Sequence, residues 1–119
     1  MPFMLKMGKN KISSVPEGIS QLLFLQELDL GKNKLDVFPG GLVELVHLKK
    51  LVLNQNYIEV IPYMIKNLQQ LEYLDMWSNN LNSFPESLNE LKKLQEFDLR
   101  VIQFTKAEKE RITSLLPDT

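Results

Sequence analysis

Apolar residues recur along the chain with a fixed period of 23 residues. Leucine stands at positions 22, 45, 68 and 91, and again at 25, 48, 71 and 94. Within each unit two further apolar residues are separated by one polar residue, as in Leu28-Asp29-Leu30, and this alternation predicts a short strand with one buried face. A constant period of this length predicts stacked, equivalent coils rather than a domain of unlike elements.

Asparagine and proline recur with the same period of 23 residues. Asn10, Asn33, Asn56 and Asn79 each follow a predicted strand, and prolines stand at 16, 39, 62 and 85. An Asn amide both donates and accepts hydrogen bonds, so we expect the four to form a ladder that satisfies the turn backbone along the stack. Proline suits the first position of a turn, and apolar residues spaced three apart after it predict a 3-10 or short helical return.

The segment from Leu25 to Leu35 reads LQELDLGKNKL, which fits the pattern LxxLxLxxNxL. With proline six residues after the Asn, the chain resembles the leucine-rich repeat family, in its 23-residue Ras-suppressor and scribble-like form, and is similar to bacterial leucine-rich repeat proteins. The resemblance covers roughly residues 4–104. It implies an α/β solenoid with a short parallel concave sheet and 3-10 or helical convex returns. It also implies protein recognition on the concave face and no enzymatic activity.

The two ends depart from the repeat. Residues 1–104 are predicted to form about four full units, and residues 105–119 a C-terminal capping helix that begins with the capping box Thr105-Lys-Ala-Glu108. At the other end Leu5 belongs to a core column, yet no coil precedes it to cover it. The chain is therefore also interpreted as a structural or self-associating fragment of a larger repeat protein that uses its N-terminal edge.

The polar residues of each strand should point out from the concave sheet, and the 23-residue step aligns them in columns. The N-terminal half of this face is predicted to be small and basic. The C-terminal half collects aromatic and charged residues that we assign to partner binding, since exposed Trp and Tyr dominate interface hot spots. The assigned residues are Tyr57, Tyr73, Asp75, Trp77, Asp98 and Arg100. Alternatively, Trp77 stacks on Arg100 and Asn54 as ordinary sheet surface.

The composition limits the kinds of partner and of chemical site that we expect for this chain. Fourteen Lys and Arg against 15 Asp and Glu give a net charge of −1, which argues against a nucleic-acid partner. With no cysteine and one histidine, we expect neither a metal site nor a cofactor.

Asp75 and Asp98 would lie about 5 Å apart, the carboxylate spacing of retaining glycosidases. An open sheet offers no pocket around them, so we do not expect an enzyme. His47 is expected on the outer return, in one column with Phe24.

No apolar run approaches the roughly 18 residues that span a bilayer, and none resembles the core of a signal peptide. We therefore expect no membrane insertion and a cytoplasmic location, or a secreted protein if a signal peptide has been removed. The sequence predicts a non-catalytic module for protein–protein interaction, of the signalling-scaffold kind, that binds a protein partner through its concave face.

Overall fold

The computed structural model describes residues 4–82, 85–94 and 96–98. Within these segments, five three-residue strands form one parallel sheet in chain order. Its strands are β1 (Met4–Lys6), β2 (Glu27–Asp29), β3 (Lys50–Val52), β4 (Tyr73–Asp75) and β5 (Glu96–Asp98). Each residue pairs with the one 23 positions later, as Leu28 does with Leu51. The predicted solenoid and its strand register are confirmed.

Each return from the sheet contains a five-residue 3-10 helix that follows a proline. The four helices are Glu17–Gln21, Gly40–Glu44, Tyr63–Asn67 and Glu86–Glu90. Pro62 stands at the N-cap in an extended conformation, and its carbonyl accepts a hydrogen bond from the Ile65 N–H at 3.1 Å. Proline fits there because its fixed φ suits the turn and it has no N–H to satisfy.

The leucine columns form one continuous core between the sheet and the returns. Strand leucines Leu28, Leu51 and Leu74 are buried, as are Leu45 and Leu68 from the ends of the returns. The inner coils thus bury their apolar side chains against the coils on either side. The concave and convex surfaces remain as two long faces, and any site on them is built from several coils.

Asn56 shows how consecutive coils are joined at the turn after each strand. Its Oδ1 accepts a hydrogen bond from the Leu35 N–H of the preceding coil at 3.0 Å. Its Nδ2 donates to the Leu30 carbonyl of that coil at 3.0 Å and to the Leu53 carbonyl of its own coil at 3.1 Å. One side chain therefore satisfies buried backbone groups of both coils, which explains why an amide is required there.

Asn33 and Asn79 repeat this arrangement, and all three amides are buried. Asn33 Oδ1 accepts from the Ile12 N–H at 3.1 Å, and Asn79 Oδ1 accepts from the Ile58 N–H at 3.0 Å. Asn10 is exposed and donates to the Met7 and Gly8 carbonyls of its own turn. The three buried amides form the asparagine ladder.

The residue before each of the four repeat asparagines, Asn10 included, adopts a left-handed backbone conformation. Its φ is 61° at Lys9, 55° at Lys32, 54° at Gln55 and 58° at Ser78. This conformation costs a residue other than glycine about 1 kcal/mol or more. The turn geometry that aims the Asn amide inward thus imposes a repeated local strain, which the ladder and the core offset.

The predicted C-terminal capping helix, residues 105–119, lies outside the described residues. In the described segments, no helix is long and apolar enough to cross a membrane.

Removing a ladder amide should destabilise the fold far more than removing an exposed one. We predict that Asn56→Leu lowers the free energy of unfolding by about 2 kcal/mol or more, because buried groups of both coils lose their partner. The matched control is Asn82→Leu, since Asn82 is exposed and lies outside the ladder. Urea denaturation measures both variants, and equal midpoints would contradict a structural role for the ladder.

Candidate functional site

The concave face carries the three aromatic residues predicted for partner binding. Tyr73 lies on β4, Trp77 follows two residues beyond its end, and both are half-buried. Tyr57 lies in the turn after β3 and is 55% exposed. The two turns are joined where the Gln55 N–H donates to the Trp77 carbonyl at 2.7 Å. The structure therefore places the aromatic residues on two neighbouring coils of one rigid surface, which we call the aromatic patch.

Tyr73 also contacts a cation from the neighbouring coil. The Lys50 Nζ lies 5.3 Å from the centroid of the Tyr73 ring, in cation–π geometry. Lys50 and Tyr73 are partners in the strand register, so the contact runs along one concave column. It holds the Tyr73 ring in place and brings a positive charge beside the aromatic patch.

Asp75, the acidic residue assigned to the same site, is 7% exposed. Its Oδ1 accepts a hydrogen bond from the Trp77 N–H at 3.0 Å, and its Oδ2 accepts one from Asn54 Nδ2 at 2.7 Å. A carboxylate that bonds the N–H two residues ahead forms a common Asp turn. Asp75 thus fixes the backbone of Trp77, and little of its surface is left for a partner.

The same turn occurs two coils earlier, where Asp29 Oδ1 accepts from the Gly31 N–H at 2.9 Å. Gly31 is buried, and a Cβ built on it would lie 2.5 Å from Asn54 Oδ1. The Asn54 side chain fills the space that this glycine leaves and then bonds Asp75. We call the row formed by Gly31, Asn54 and Asp75, one residue from each of three coils, the polar row. From the sequence alone, only the alignment of Gly31 with Asn54 in one column could be seen.

Asp98 and Arg100 complete the predicted set of partner-binding residues. The Asp98 backbone pairs with Asp75 in the β4–β5 register. The Asp98 side chain and the whole of Arg100 lie outside the described residues. Both oxygens of Asp75 already accept hydrogen bonds, which disfavours the carboxylate-pair interpretation. Among the residues that the structure describes, no group of three or more His, Cys, Asp or Glu side chains could hold a metal ion.

Two hollows lie on this side of the molecule. The larger, about 460 Å³, lies beside Tyr57 and is lined also by Ser78, Asn80 and Asn82. The smaller, about 110 Å³, lies over β1–β3 between Lys6 and Lys50. Both are open, and both place hydrogen-bonding groups near the concave face. Such surfaces suit a peptide or a protein loop better than an enclosed small molecule.

The convex returns carry a separate column. Phe24 and His47 stack with their ring centroids 5.4 Å apart, and Lys93 Nζ donates to Gln70 Oε1 at 2.6 Å. His47 is exposed. The predicted position of His47 on the outer return beside Phe24 is confirmed.

A model of the leucine-rich repeat region matches residues 4–117 of the chain. The chain belongs to the leucine-rich repeat family. Its fold is similar to a leucine-rich repeat protein of Leptospira interrogans, with a TM-score of 0.87 and 29% identity over 98% of this chain. It also resembles an internalin of Listeria monocytogenes, with a TM-score of 0.77 and 27% identity over 89% of this chain.

A plant protein structure is similar as well. The BIR2 ectodomain of Arabidopsis thaliana superposes with a TM-score of 0.71 and 25% identity over 78% of this chain. This chain spans 36%, 30% and 50% of the Leptospira, Listeria and Arabidopsis chains. A search of curated proteins gave no match. Leucine-rich repeat membership and this fold indicate a protein–protein interaction module.

The polar row under the repeat surface should be sensitive to one added methyl group. We predict that Gly31→Ala lowers the free energy of unfolding by about 1–3 kcal/mol, because the methyl displaces Asn54 from Asp75. Gly40→Ala is the matched control, since a Cβ there meets nothing within 4 Å. Denaturation with urea measures both variants, and the amide resonance of Trp77 should move only in Gly31→Ala. Equal stability of the two would show that the row contributes little.

Proposed function

We propose that this chain is a non-catalytic interaction module that binds a protein partner through its concave face. The observation that carries the proposal is the aromatic patch of Tyr57, Tyr73 and Trp77 on two neighbouring coils. Tyr and Trp supply large contact areas at low conformational cost, and they are enriched at binding hot spots. The proposed contact surface also includes Asp98 and Arg100, which the sequence assigns to partner binding.

Preorganisation supports the same function. Asn79 joins the turn that carries Trp77 to the previous coil, with its Nδ2 donating to the Leu53 carbonyl at 2.9 Å. Asp75 bonds the Trp77 N–H, and Lys50 packs over the Tyr73 ring. A partner would meet side chains whose backbone is already fixed, so association would cost little further ordering of the module.

The proposal includes a cytoplasmic signalling scaffold, on the resemblance of the 23-residue repeats to those of Ras-suppressor and scribble-like proteins. It also includes residues 105–119 as the C-terminal cap of a repeat unit formed by residues 1–104. Neither nucleic acid nor a membrane is proposed as a partner, because the net charge is −1 and no extended basic surface follows from the composition.

Truncating the central aromatic residue tests the proposal. We predict that Trp77→Ala weakens partner binding by about 2 kcal/mol, or roughly 30-fold, while its circular dichroism and melting stay close to wild type. Phe24→Ala is the matched control, because Phe24 is an exposed aromatic residue on the convex side. Affinity capture with all three proteins, followed by titration of the captured partner, gives the comparison. Binding that survives Trp77→Ala and is lost in Phe24→Ala would move the site to the convex surface.

A second candidate function is self-association or stacking through the N-terminal edge. Met4, on the edge strand β1, is 44% exposed. The core is also covered by Leu5, Met7 and Ile12, which are only partly buried. Another coil or a second copy would cover them.

We predict that light scattering over a concentration series detects association of the wild-type protein, and that Met7→Lys abolishes this association. Wild-type protein that stays monomeric throughout the series would contradict self-association.

A further inference from the structure

We infer that the N-terminal end of the concave face binds an acidic peptide segment of the protein partner. The inference rests on the proposed function, since it names the chemistry of the partner on that face. The surface is a set of four lysines in the turns after β1 and β2, which we call the lysine grid. The grid consists of Lys9, Lys11, Lys32 and Lys34, and all four are exposed.

The grid follows from the asparagine ladder. In the second coil, Asn33 turns inward and is 6% exposed, so Lys32 and Lys34 on either side of it face solvent. The first coil repeats the order Lys-Asn-Lys at residues 9–11. Each of these two coils thus presents two ammonium groups from one turn, with one residue between them.

Backbone hydrogen bonds keep the two turns in register. The Lys9 N–H donates to the Gly31 carbonyl at 2.9 Å, and the Lys34 N–H donates to the Ile12 carbonyl at 2.8 Å. Equivalent lysines of the two coils are therefore about 4.8 Å apart at the backbone. The grid is a compact patch rather than a scatter of surface charges.

The charge is concentrated at this end. At the equivalent positions, the third coil has Gln55 and Tyr57, and the fourth has Ser78 and Asn80. Mutual repulsion at this spacing costs up to about 1 kcal/mol per pair in water, and bound carboxylates would relieve it.

Asp29 lies beside the grid, and its single negative charge is outnumbered by the four lysines; its Oδ1 also accepts the Gly31 N–H. Lys6 adds a further exposed cation on β1.

The dimensions of the grid favour a peptide over a nucleic acid. Alternate side chains of an extended peptide lie on one side about 7 Å apart, so successive carboxylates can each meet a flexible lysine side chain of the grid. A duplex binder typically makes about 6–10 phosphate contacts, more than this grid offers. Tyr57 continues the column of Lys11 and Lys34 onto the third coil. The expected ligand is therefore a short run of Asp or Glu followed by an apolar or aromatic residue.

The test uses N-acetyl-hexaglutamate amide as the probe and N-acetyl-hexaglutamine amide as its neutral control. Titration into the full chain, followed by amide shifts in NMR spectra, should show binding confined to residues 9–12 and 32–35. Binding should weaken as salt rises. The double variant Lys11→Gln/Lys34→Gln should weaken it by about fivefold or more, whereas Lys49→Gln/Lys92→Gln, with the same charge change at exposed sites elsewhere, should not.

Three results would overturn the inference. The first is no shift with hexaglutamate, and the second is equal weakening in both double variants. The third is tighter binding of hexathymidylate than of hexaglutamate, which would indicate a nucleic-acid surface. Failure of the proposed function is distinguishable, because hexaglutamate binding should be unchanged in Trp77→Ala. If hexaglutamate binds and Trp77→Ala still captures the partner as well as the wild type does, the lysine grid is supported and the aromatic patch is rejected.

Discussion

The structure depends on the hydrogen bonds of one buried side-chain amide in each of three consecutive coils. A strand of three residues is too short to satisfy the backbone of the turn that follows it. Asn33, Asn56 and Asn79 complete those turns and join each one to the coil before it. Register, the spacing of the concave columns and the direction of every outward side chain follow from this ladder, because it fixes where each turn begins.

On the concave face, two aspartates bond the backbone, whereas the lysines of the first two coils are exposed. Asp29 and Asp75 each accept a hydrogen bond from the N–H two residues ahead. The lysines of the first two coils keep no such role. A chain with nearly equal numbers of acidic and basic residues can therefore present a locally basic surface, and composition alone conceals this polarity.

The period made much of the fold predictable. The strand register, the proline-led returns and the inward position of the Asn column all follow from residues that recur every 23 positions. The burial of Asp75 could not be predicted in the same way, because Val52 occupies its column on the coil before. Its partner Asn54 comes from that coil, and the space for Asn54 exists because Gly31 lies one coil further back.

Amide hydrogen exchange tests the central role of the ladder most directly. The N–H groups of Leu35 and Ile58 donate only to the side chains of Asn56 and Asn79 in the next coil. They should exchange as slowly as the Leu53 N–H, which donates to the Asp75 carbonyl within the sheet. Exchange of Leu35 and Ile58 as fast as that of the exposed Asp36 would contradict the account, because the coils would then be held together by the core alone.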